Sequence, residues 1–139
     1  YRVGMITGLL TAALGAAFAK TLKHGDIVLL TGDLGAGKSV FCRAIVHELM
    51  ENPDLDVPSP TFTLVQTYDT PIAQLWHFDL YRLKDAEEIY EIGWEEALSG
   101  GIILVEWPDR LGPLAPTKAI KIDIILAGNT RTITAHRPT

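Results

Sequence analysis

The fold is decided by the stretch G-D-L-G-A-G-K-S at residues 32–39, that is, Gly32-Asp33-Leu34-Gly35-Ala36-Gly37-Lys38-Ser39. It matches the Walker A pattern, G-x-x-x-x-G-K-[ST], without a mismatch. Glycines in this pattern let the backbone curl so that successive N–H groups point at phosphate oxygens. The lysine can reach the β- and γ-phosphates, and the hydroxyl of Ser39 can bind the Mg²⁺ that bridges them. The stretch therefore predicts a site for a nucleoside triphosphate.

The residues on both sides of the loop have the patterns of the elements that such a site requires. Before it, Ile27-Val28-Leu29-Leu30 is a continuous apolar run, typical of a strand buried on both faces of a parallel sheet. After it, apolar residues recur at helical spacing at Val40, Phe41, Ala44, Ile45 and Leu49. The alternative, a chance glycine turn before a helix, does not explain why both flanking elements fit.

The remainder of the chain predicts further strands and turns around this unit. Apolar or alternating stretches predict strands at 62–68, 72–80, 102–106, 119–126 and 130–135. The connections between 62–68 and 72–80 and between 119–126 and 130–135 are short, which favours two antiparallel hairpins. Asp85-x-x-Glu88 is a capping box that opens a short acidic helix. Residues 108–116 lack a regular pattern. We predict one α/β domain over residues 1–139, a P-loop NTPase-like domain whose central sheet mixes parallel and antiparallel strands and is flanked by helices.

The N-terminal run needs a separate interpretation. Residues 3–19 carry no charge and follow Arg2, which resembles the core of a signal peptide. The run is mostly Ala, Gly and Thr, however, and it is shorter than the ~20 strongly apolar residues of a membrane-spanning helix. Because Leu9, Leu10, Leu14 and Phe18 fall at helical spacing, we predict a packed helix here rather than a signal.

The composition limits the class of partner. The net charge is −5, and the 12 Lys and Arg residues are scattered, which argues against a protein that binds nucleic acid alone through a basic surface. Neither DNA nor a membrane is expected as a partner. The single cysteine, Cys42, cannot form an intrachain disulfide and leaves no cysteine-based metal site. A reducing, cytoplasmic location fits best.

Two carboxylates end predicted strands, at the edge of the sheet where the phosphates would lie. Glu106 closes the apolar run 102–105, which is the Walker B pattern with Glu in place of Asp, and Asp79 ends the run 75–78. One can act as a metal partner while the other orients water or a second ligand. The alternative is that each is a surface carboxylate at the end of a strand.

For several residues near these carboxylates, the sequence allows more than one role. His77 shares a strand face with Asp79, but a lone histidine on a strand is more often packed than catalytic. Thr61 ends a loop where its hydroxyl could approach the γ-phosphate, although a plain turn is an equal alternative. Trp107 is either a packing residue or part of the site. Lys38 is expected to face phosphate and solvent.

Four motifs occur in order along the chain: residues 32–39, S-P-T-F-T-L-V at 59–65, H-F-D-L-Y-R-L at 77–83 and V-E-W at 105–107. Together they resemble the TsaE family (also called YjeE), the small ATPases of bacterial threonylcarbamoyl-adenosine tRNA modification. The resemblance covers essentially the whole chain. It implies a cytoplasmic ATPase of low intrinsic activity that binds ATP and Mg²⁺ and assembles with the TsaB–TsaD heterodimer. That complex transfers threonylcarbamoyl to adenosine beside the anticodon, and the ATPase would meet tRNA only through it.

The resemblance also assigns roles to individual residues. Lys38 matches the phosphate-binding lysine, and Ser39 matches the metal-binding hydroxyl, where the family most often has Thr. Glu106 matches the second metal residue, and Asp79 matches the functional acid of the His-x-Asp-x-Tyr-Arg motif.

Looser matches extend the site to segments without a sharp motif. Thr61 falls in a segment that resembles a switch, Arg131 matches a nucleotide contact in the last hairpin, and Thr7 or Thr11 lies where the first helix approaches the base.

Three other functions deserve comparison. A small-molecule P-loop kinase usually has an arginine-bearing lid and a substrate pocket, which need more than 139 residues. A GTPase would need an Asn-Lys-x-Asp stretch to recognise guanine, and the chain has none. A nucleotide-gated adaptor, in which turnover is incidental, overlaps with a slow ATPase and stays open.

Overall fold

The computed structural model describes residues 2–5, 8–33, 37–128 and 130–138. Within them the strands are β1 (Arg2–Met5), β2 (Ile27–Thr31), β3 (Val65–Asp69), β4 (Gln74–Asp79), β5 (Ile102–Glu106), β6 (Ile120–Ala127) and β7 (Thr130–His136). The α-helices are α1 (Gly8–Ala19), α2 (Lys38–Met50) and α3 (Trp94–Leu98), and 3₁₀ segments occupy Ala86–Ile92 and Pro108–Leu114. No helix in these ranges is long and apolar enough to cross a membrane.

The strands of the described residues form one sheet, in the order β1-β7-β6-β2-β5-β4-β3. The central strands β6, β2, β5 and β4 pair in parallel, whereas β3 pairs antiparallel with β4, and β7 with both β6 and β1. Every residue of β5 is buried, as expected for a parallel strand that is covered on both faces. The predicted mixed sheet is confirmed.

The two faces of the sheet bury separate clusters. On one face, α1 and α2 contribute Phe18, Phe41 and Ile45, which pack with Leu104 of β5. On the other face, Phe78 and Ile103 pack with Trp94, Ile89 and other residues from α3 and the 3₁₀ segments. Leu104 and Ile103 belong to opposite clusters because successive side chains of a strand point to opposite faces.

Helix α1 packs closely on α2 at a glycine. A Cβ atom on Gly15 would lie 2.8 Å from the carbonyl oxygen of Phe41 and 2.9 Å from the Cβ of Ala44. Both distances are too short for a real Cβ contact. The small residues that made the N-terminal run weak as a membrane segment therefore allow this approach of the two helices.

Four predictions of element bounds or type were wrong. The strand predicted over 72–80 spans only Gln74–Asp79, because residues 71–73 form bends. The expected helix over residues 3–19 begins only at Gly8, because Arg2–Met5 form β1 and pair with β7, Arg2 opposite Thr134. The strand predicted from residue 62 begins at Val65, since turns occupy 61–63 and Leu64 has a φ of 70°. Residues 108–116, expected to be irregular, contain the 3₁₀ segment Pro108–Leu114.

Candidate functional site

Helix α2 and the carboxyl ends of β4 and β5 meet at one edge of the sheet. The helix begins at Lys38, directly after Gly37, whose φ of 110° is in the region that favours glycine. Register pairs Asp79 with Glu106 across β4 and β5, and Glu106 with Leu30 across β5 and β2. Both carboxylates therefore lie side by side, near the start of α2.

A cavity of about 270 Å³ opens at this edge. Its lining includes predicted site residues from separate segments of the chain. Its lining consists of Gly37, Lys38, Ser39, Val40, Thr61, Asp79, Glu106, Trp107 and Arg131. The cavity is thus lined by cationic side chains, hydroxyl groups and carboxylates.

The two carboxylates differ in how their oxygens are engaged. Asp79 Oδ2 accepts a hydrogen bond from the Thr61 hydroxyl at 3.2 Å, and Oδ1 accepts one from the Tyr81 backbone N–H at 3.1 Å. Glu106 Oε2 lies 2.7 Å from His77 Nε2, whereas Oε1 accepts no hydrogen bond from the described residues. Each oxygen of Asp79 thus accepts one hydrogen bond and, like any carboxylate oxygen, can accept a second, whereas only one oxygen of Glu106 is engaged by the described residues.

Lys38 is buried and does not face solvent as expected. Its side chain is 5% exposed, and Nζ has no hydrogen-bond partner within the described part of the chain. The reason is Trp107, whose ring centroid lies 3.6 Å from Nζ. Burial lowers the pKa of Lys38, and the charges of Glu106 and Asp79 oppose that shift.

Arg131 and Thr11 lie against Gly37, the last glycine of the predicted phosphate loop. A Cβ on Gly37 would be 3.5 Å from both Cδ and Nε of Arg131 and from Cγ2 of Thr11. Arg131 Nε is buried and makes no hydrogen bond to any described residue. The strand β7 thus brings a second cation to the cavity that Lys38 lines.

The other residues predicted for the site lie elsewhere or are not described. Asp33 is exposed and lines a neighbouring cavity of about 340 Å³ that also touches Lys38 and Trp107. The remaining predicted residues, Thr7, Leu34, Gly35 and Ala36, lie outside the described residues.

Tyr81 is a site residue that the sequence analysis missed. Its ring packs on the Trp107 ring with centroids 4.9 Å apart, and the guanidinium of Arg110 lies 5.8 Å from the Tyr81 ring. Its position two residues after Asp79, in the motif 77–83, was the available signal. Trp107 of this pair lines the cavity beside Lys38, and Tyr81 packs against its ring.

Cys42 lies beside the two buried groups His77 and Glu106. One possible ligand atom from each lies within 4.8 Å of the others, a donor set that can suit a transition metal. Burial, however, raises the pKa of the Cys42 thiol well above its usual range. Because the thiolate is the metal ligand, we interpret Cys42 as a core residue that packs behind Glu106.

The remaining groups fit a nucleotide phosphate with a hard cation. Lys38 Nζ and Arg131 Nε are buried nitrogens without described partners, so they can donate to phosphate oxygens. Ser39 is exposed and, in the described ranges, its hydroxyl makes no hydrogen bond. With Oε1 of Glu106 it offers the oxygen ligands that Mg²⁺ prefers.

Comparison with known proteins points to one family. The family model "Threonylcarbamoyl adenosine biosynthesis protein TsaE" matches residues 9–133. A relative in Rickettsia bellii named "tRNA threonylcarbamoyladenosine biosynthesis protein TsaE" is 52% identical over 79% of this chain and 76% of the relative. One with the same name in Bacillus subtilis is 39% identical, covering 85% and 71%. The crystal structure of Bacillus subtilis YdiB superposes with a TM-score of 0.77 at 28% identity, covering 99% of this chain and 84% of that one.

Proposed function

The chain belongs to the TsaE family of tRNA threonylcarbamoyladenosine biosynthesis, and from this premise we propose that it binds and hydrolyses ATP with Mg²⁺. The observation that carries the proposal is a pair of buried nitrogens, Lys38 Nζ and Arg131 Nε, which have no hydrogen-bond partner among the described residues and belong to residues that line one cavity at the start of α2. A buried donor left without a partner destabilises the protein by about 1–3 kcal/mol. A phosphate group satisfies both nitrogens and also meets the partial positive charge of the helix N-terminus.

Binding of ATP is assigned to the phosphate loop and the residues around it. Lys38 and Arg131 would hold phosphate oxygens, and the loop backbone from Asp33 through Leu34, Gly35, Ala36 and Gly37 would supply N–H groups. Thr11, or Thr7 earlier in the chain, would approach the base. Support for this assignment comes from the position of Thr11 and Arg131 against Gly37.

Binding of Mg²⁺ is assigned to Ser39 and Glu106. When bound, the ion neutralises charge that develops on the phosphates. Ser39 and Glu106 line the cavity from α2 and β5, and Oε1 of Glu106 accepts no hydrogen bond from the described residues. Both are oxygen ligands, as a hard cation requires.

Asp79 is proposed to orient the attacking water. Its Oδ2 is tied to Thr61 and its Oδ1 to the Tyr81 backbone, so the carboxylate is fixed in direction. A fixed acceptor lowers the reorganisation needed when a water loses its proton. Thr61, in the segment that resembles a switch, would link this carboxylate to the loop before β3.

The partner is proposed to be the TsaB–TsaD heterodimer, with tRNA reached only through that complex, in the cytoplasm. The family assignment and the names of the relatives support a role in modifying tRNA. The net charge of −5 and the scattered basic residues argue against independent binding to tRNA. An intrinsically slow ATPase that becomes active in a complex fits these features.

The test is phosphate release from ATP, measured for the chain alone and with TsaB–TsaD. We expect slow release alone and faster release in the complex. ATP binding without phosphate release in either mixture would instead favour the nucleotide-gated adaptor. Transfer of the γ-phosphate to an added small molecule would favour the kinase, and failure to bind ATP would contradict the whole proposal.

A further inference from the structure

His77 contacts the carboxylate that is assigned to the metal. Its Nε2 lies 2.7 Å from Glu106 Oε2, and both side chains are buried, 4% and 5% exposed. In the register of β4 and β5, His77 lies opposite Leu104, so Glu106 is its diagonal neighbour on the same face of the sheet. The contact therefore depends on the pairing of the two strands.

Resting on the proposed function, we propose that His77 is a positioning residue that sets the orientation of Glu106. Because a carboxylate only accepts hydrogen bonds, Nε2 is the donor and Oε2 the acceptor. This hydrogen bond engages Oε2 and leaves Oε1, which accepts no hydrogen bond from the described residues, to hold the ion or its water in the cavity that Glu106 lines. Histidines and carboxylates that support metal ligands in this way fix the rotamer of the ligand.

The neighbouring carboxylate explains why Glu106 needs such a support. Asp79 and Glu106 are paired in register on adjacent strands, which are about 4.8 Å apart. Carboxylates at directly opposite positions of neighbouring strands repel each other, and the repulsion favours a rotamer that turns away from the neighbour unless a partner holds the side chain. Asp79 is held by Thr61 and Tyr81, and His77 does the same for Glu106.

A purely structural role does not account for His77. Its Nδ1 is buried and has no hydrogen-bond partner among the residues that the structure describes, which destabilises the folded state. Leu75, on the same face of β4, belongs to the apolar cluster under α2. An apolar residue at position 77 would extend that cluster without leaving a buried nitrogen unpaired.

The test compares two amide variants that differ only in reach. In His77→Gln the amide nitrogen can occupy the position of Nε2 and donate to Glu106, whereas in His77→Asn it occupies the position of Nδ1 and cannot. The measurement is equilibrium binding of ATP at rising Mg²⁺ concentration, with binding in EDTA as the reference. We expect H77N to raise the half-saturating Mg²⁺ about tenfold, H77Q to stay near the wild type, and binding in EDTA to be unchanged in both.

A second measurement separates positioning from general damage. In the Glu106→Gln background the oxygen that His77 positions no longer carries the charge that attracts the ion. We therefore expect H77N to add little to the Mg²⁺ requirement of E106Q, which is the non-additivity of residues that act through one another. Thermal unfolding of each variant verifies the fold, and if H77N does not fold, the comparison of His77→Leu with H77Q carries the same test.

Each outcome has one meaning. An unchanged Mg²⁺ titration in H77N, equal effects in H77N and H77Q, or an undiminished effect of H77N in the E106Q background would overturn the role of His77. These results would leave the proposed function intact, because the wild type would still bind ATP with Mg²⁺ dependence. A wild type whose ATP affinity does not depend on Mg²⁺ would overturn both.

Discussion

The ammonium nitrogen of Lys38 lies 3.6 Å from the centroid of the Trp107 ring. Trp107 directly follows Glu106, and its φ of 57° and ψ of 53° turn the chain sharply at the end of β5. This left-handed conformation costs an aromatic residue about 1–2 kcal/mol. The end of one strand thus supplies both the carboxylate assigned to the metal and the aromatic face that covers the lysine. A phosphate offers Lys38 charge-assisted hydrogen bonds that an aromatic ring lacks, so we expect phosphate to displace this contact.

Substitution of Lys38 by Met tests the buried charge. Met fills a similar volume without the ammonium group, so we expect the variant to lose ATP turnover but to remain folded. Burial lowers the pKa of Lys38 in the folded state, and the unfolded chain therefore holds this proton to higher pH. The charge thus lowers the free energy of unfolding at neutral pH, and this effect fades as pH rises through the lowered pKa toward the unfolded value of 10.5.

Urea unfolding of K38M and wild type between pH 7 and pH 10.5 measures this difference. K38M should be at least as stable as the wild type at pH 7, and the two should converge at the high end. A variant that unfolds at neutral pH, or that still hydrolyses ATP at the normal rate, would contradict the assignment of Lys38.

The close contact of α1 and α2 makes Gly15 a stability determinant. Alanine is the better helix former by about 1 kcal/mol, but a Cβ there would lie 2.8 Å from the Phe41 carbonyl oxygen. We expect Gly15→Ala to lower the free energy of unfolding by about 1–3 kcal/mol, the usual cost of overpacking. Ala17→Ser, at an exposed position of the same helix, is the control and should change it by less than about 0.5 kcal/mol. Equal stability of G15A and wild type in urea would show that the two helices can separate without cost.

The parallel part of the fold was predictable because its signals are local. Residues 27–30 and 102–105 are unbroken apolar runs, and only a strand covered on both faces needs such a run. The N-terminal strand was not predictable, because Arg2–Met5 becomes a strand only by pairing with β7 at the far end of the chain. The short run has no alternation that distinguishes it from the start of the helix.

In the site, too, the residues could be predicted from local sequence signals, but the contacts between distant segments could not. Lys38, Ser39, Asp79 and Glu106 could be selected from motifs and strand ends alone, and the structure brings them to one cavity. Their contacts could not be predicted. The hydrogen bond from His77 to Glu106 depends on the register of β4 with β5, and the burial of Lys38 depends on the left-handed turn that follows β5.

The preference for a base is testable by competition. The chain has no Asn-Lys-x-Asp stretch to recognise guanine, so we expect GTP to displace bound ATP about tenfold less effectively than ATP itself, equivalent to roughly 1.4 kcal/mol of base contacts. Titration of a fluorescent ATP analogue with ATP, GTP and inorganic triphosphate measures this, and the triphosphate reports the contribution of the phosphates. Equal displacement by GTP and ATP would count against a specific ATPase.

The last prediction separates the two carboxylates by their different hydrogen bonds. Oε1 of Glu106, which no described residue engages, is proposed to hold the ion, so Glu106→Gln, which preserves shape and removes charge, should raise the Mg²⁺ requirement of ATP hydrolysis about tenfold or more and slow turnover. Asp79 is fixed in direction by one hydrogen bond to each oxygen, from Thr61 and Tyr81, and each oxygen can still accept one from water. Asp79→Asn should therefore slow turnover about a hundredfold, as for the loss of a general base, with little change in the Mg²⁺ requirement. Steady-state phosphate release at a series of Mg²⁺ concentrations measures both effects. The roles would be reversed if only D79N shifted the Mg²⁺ titration, and an E106Q variant with unchanged rate and titration would remove Glu106 from the metal site.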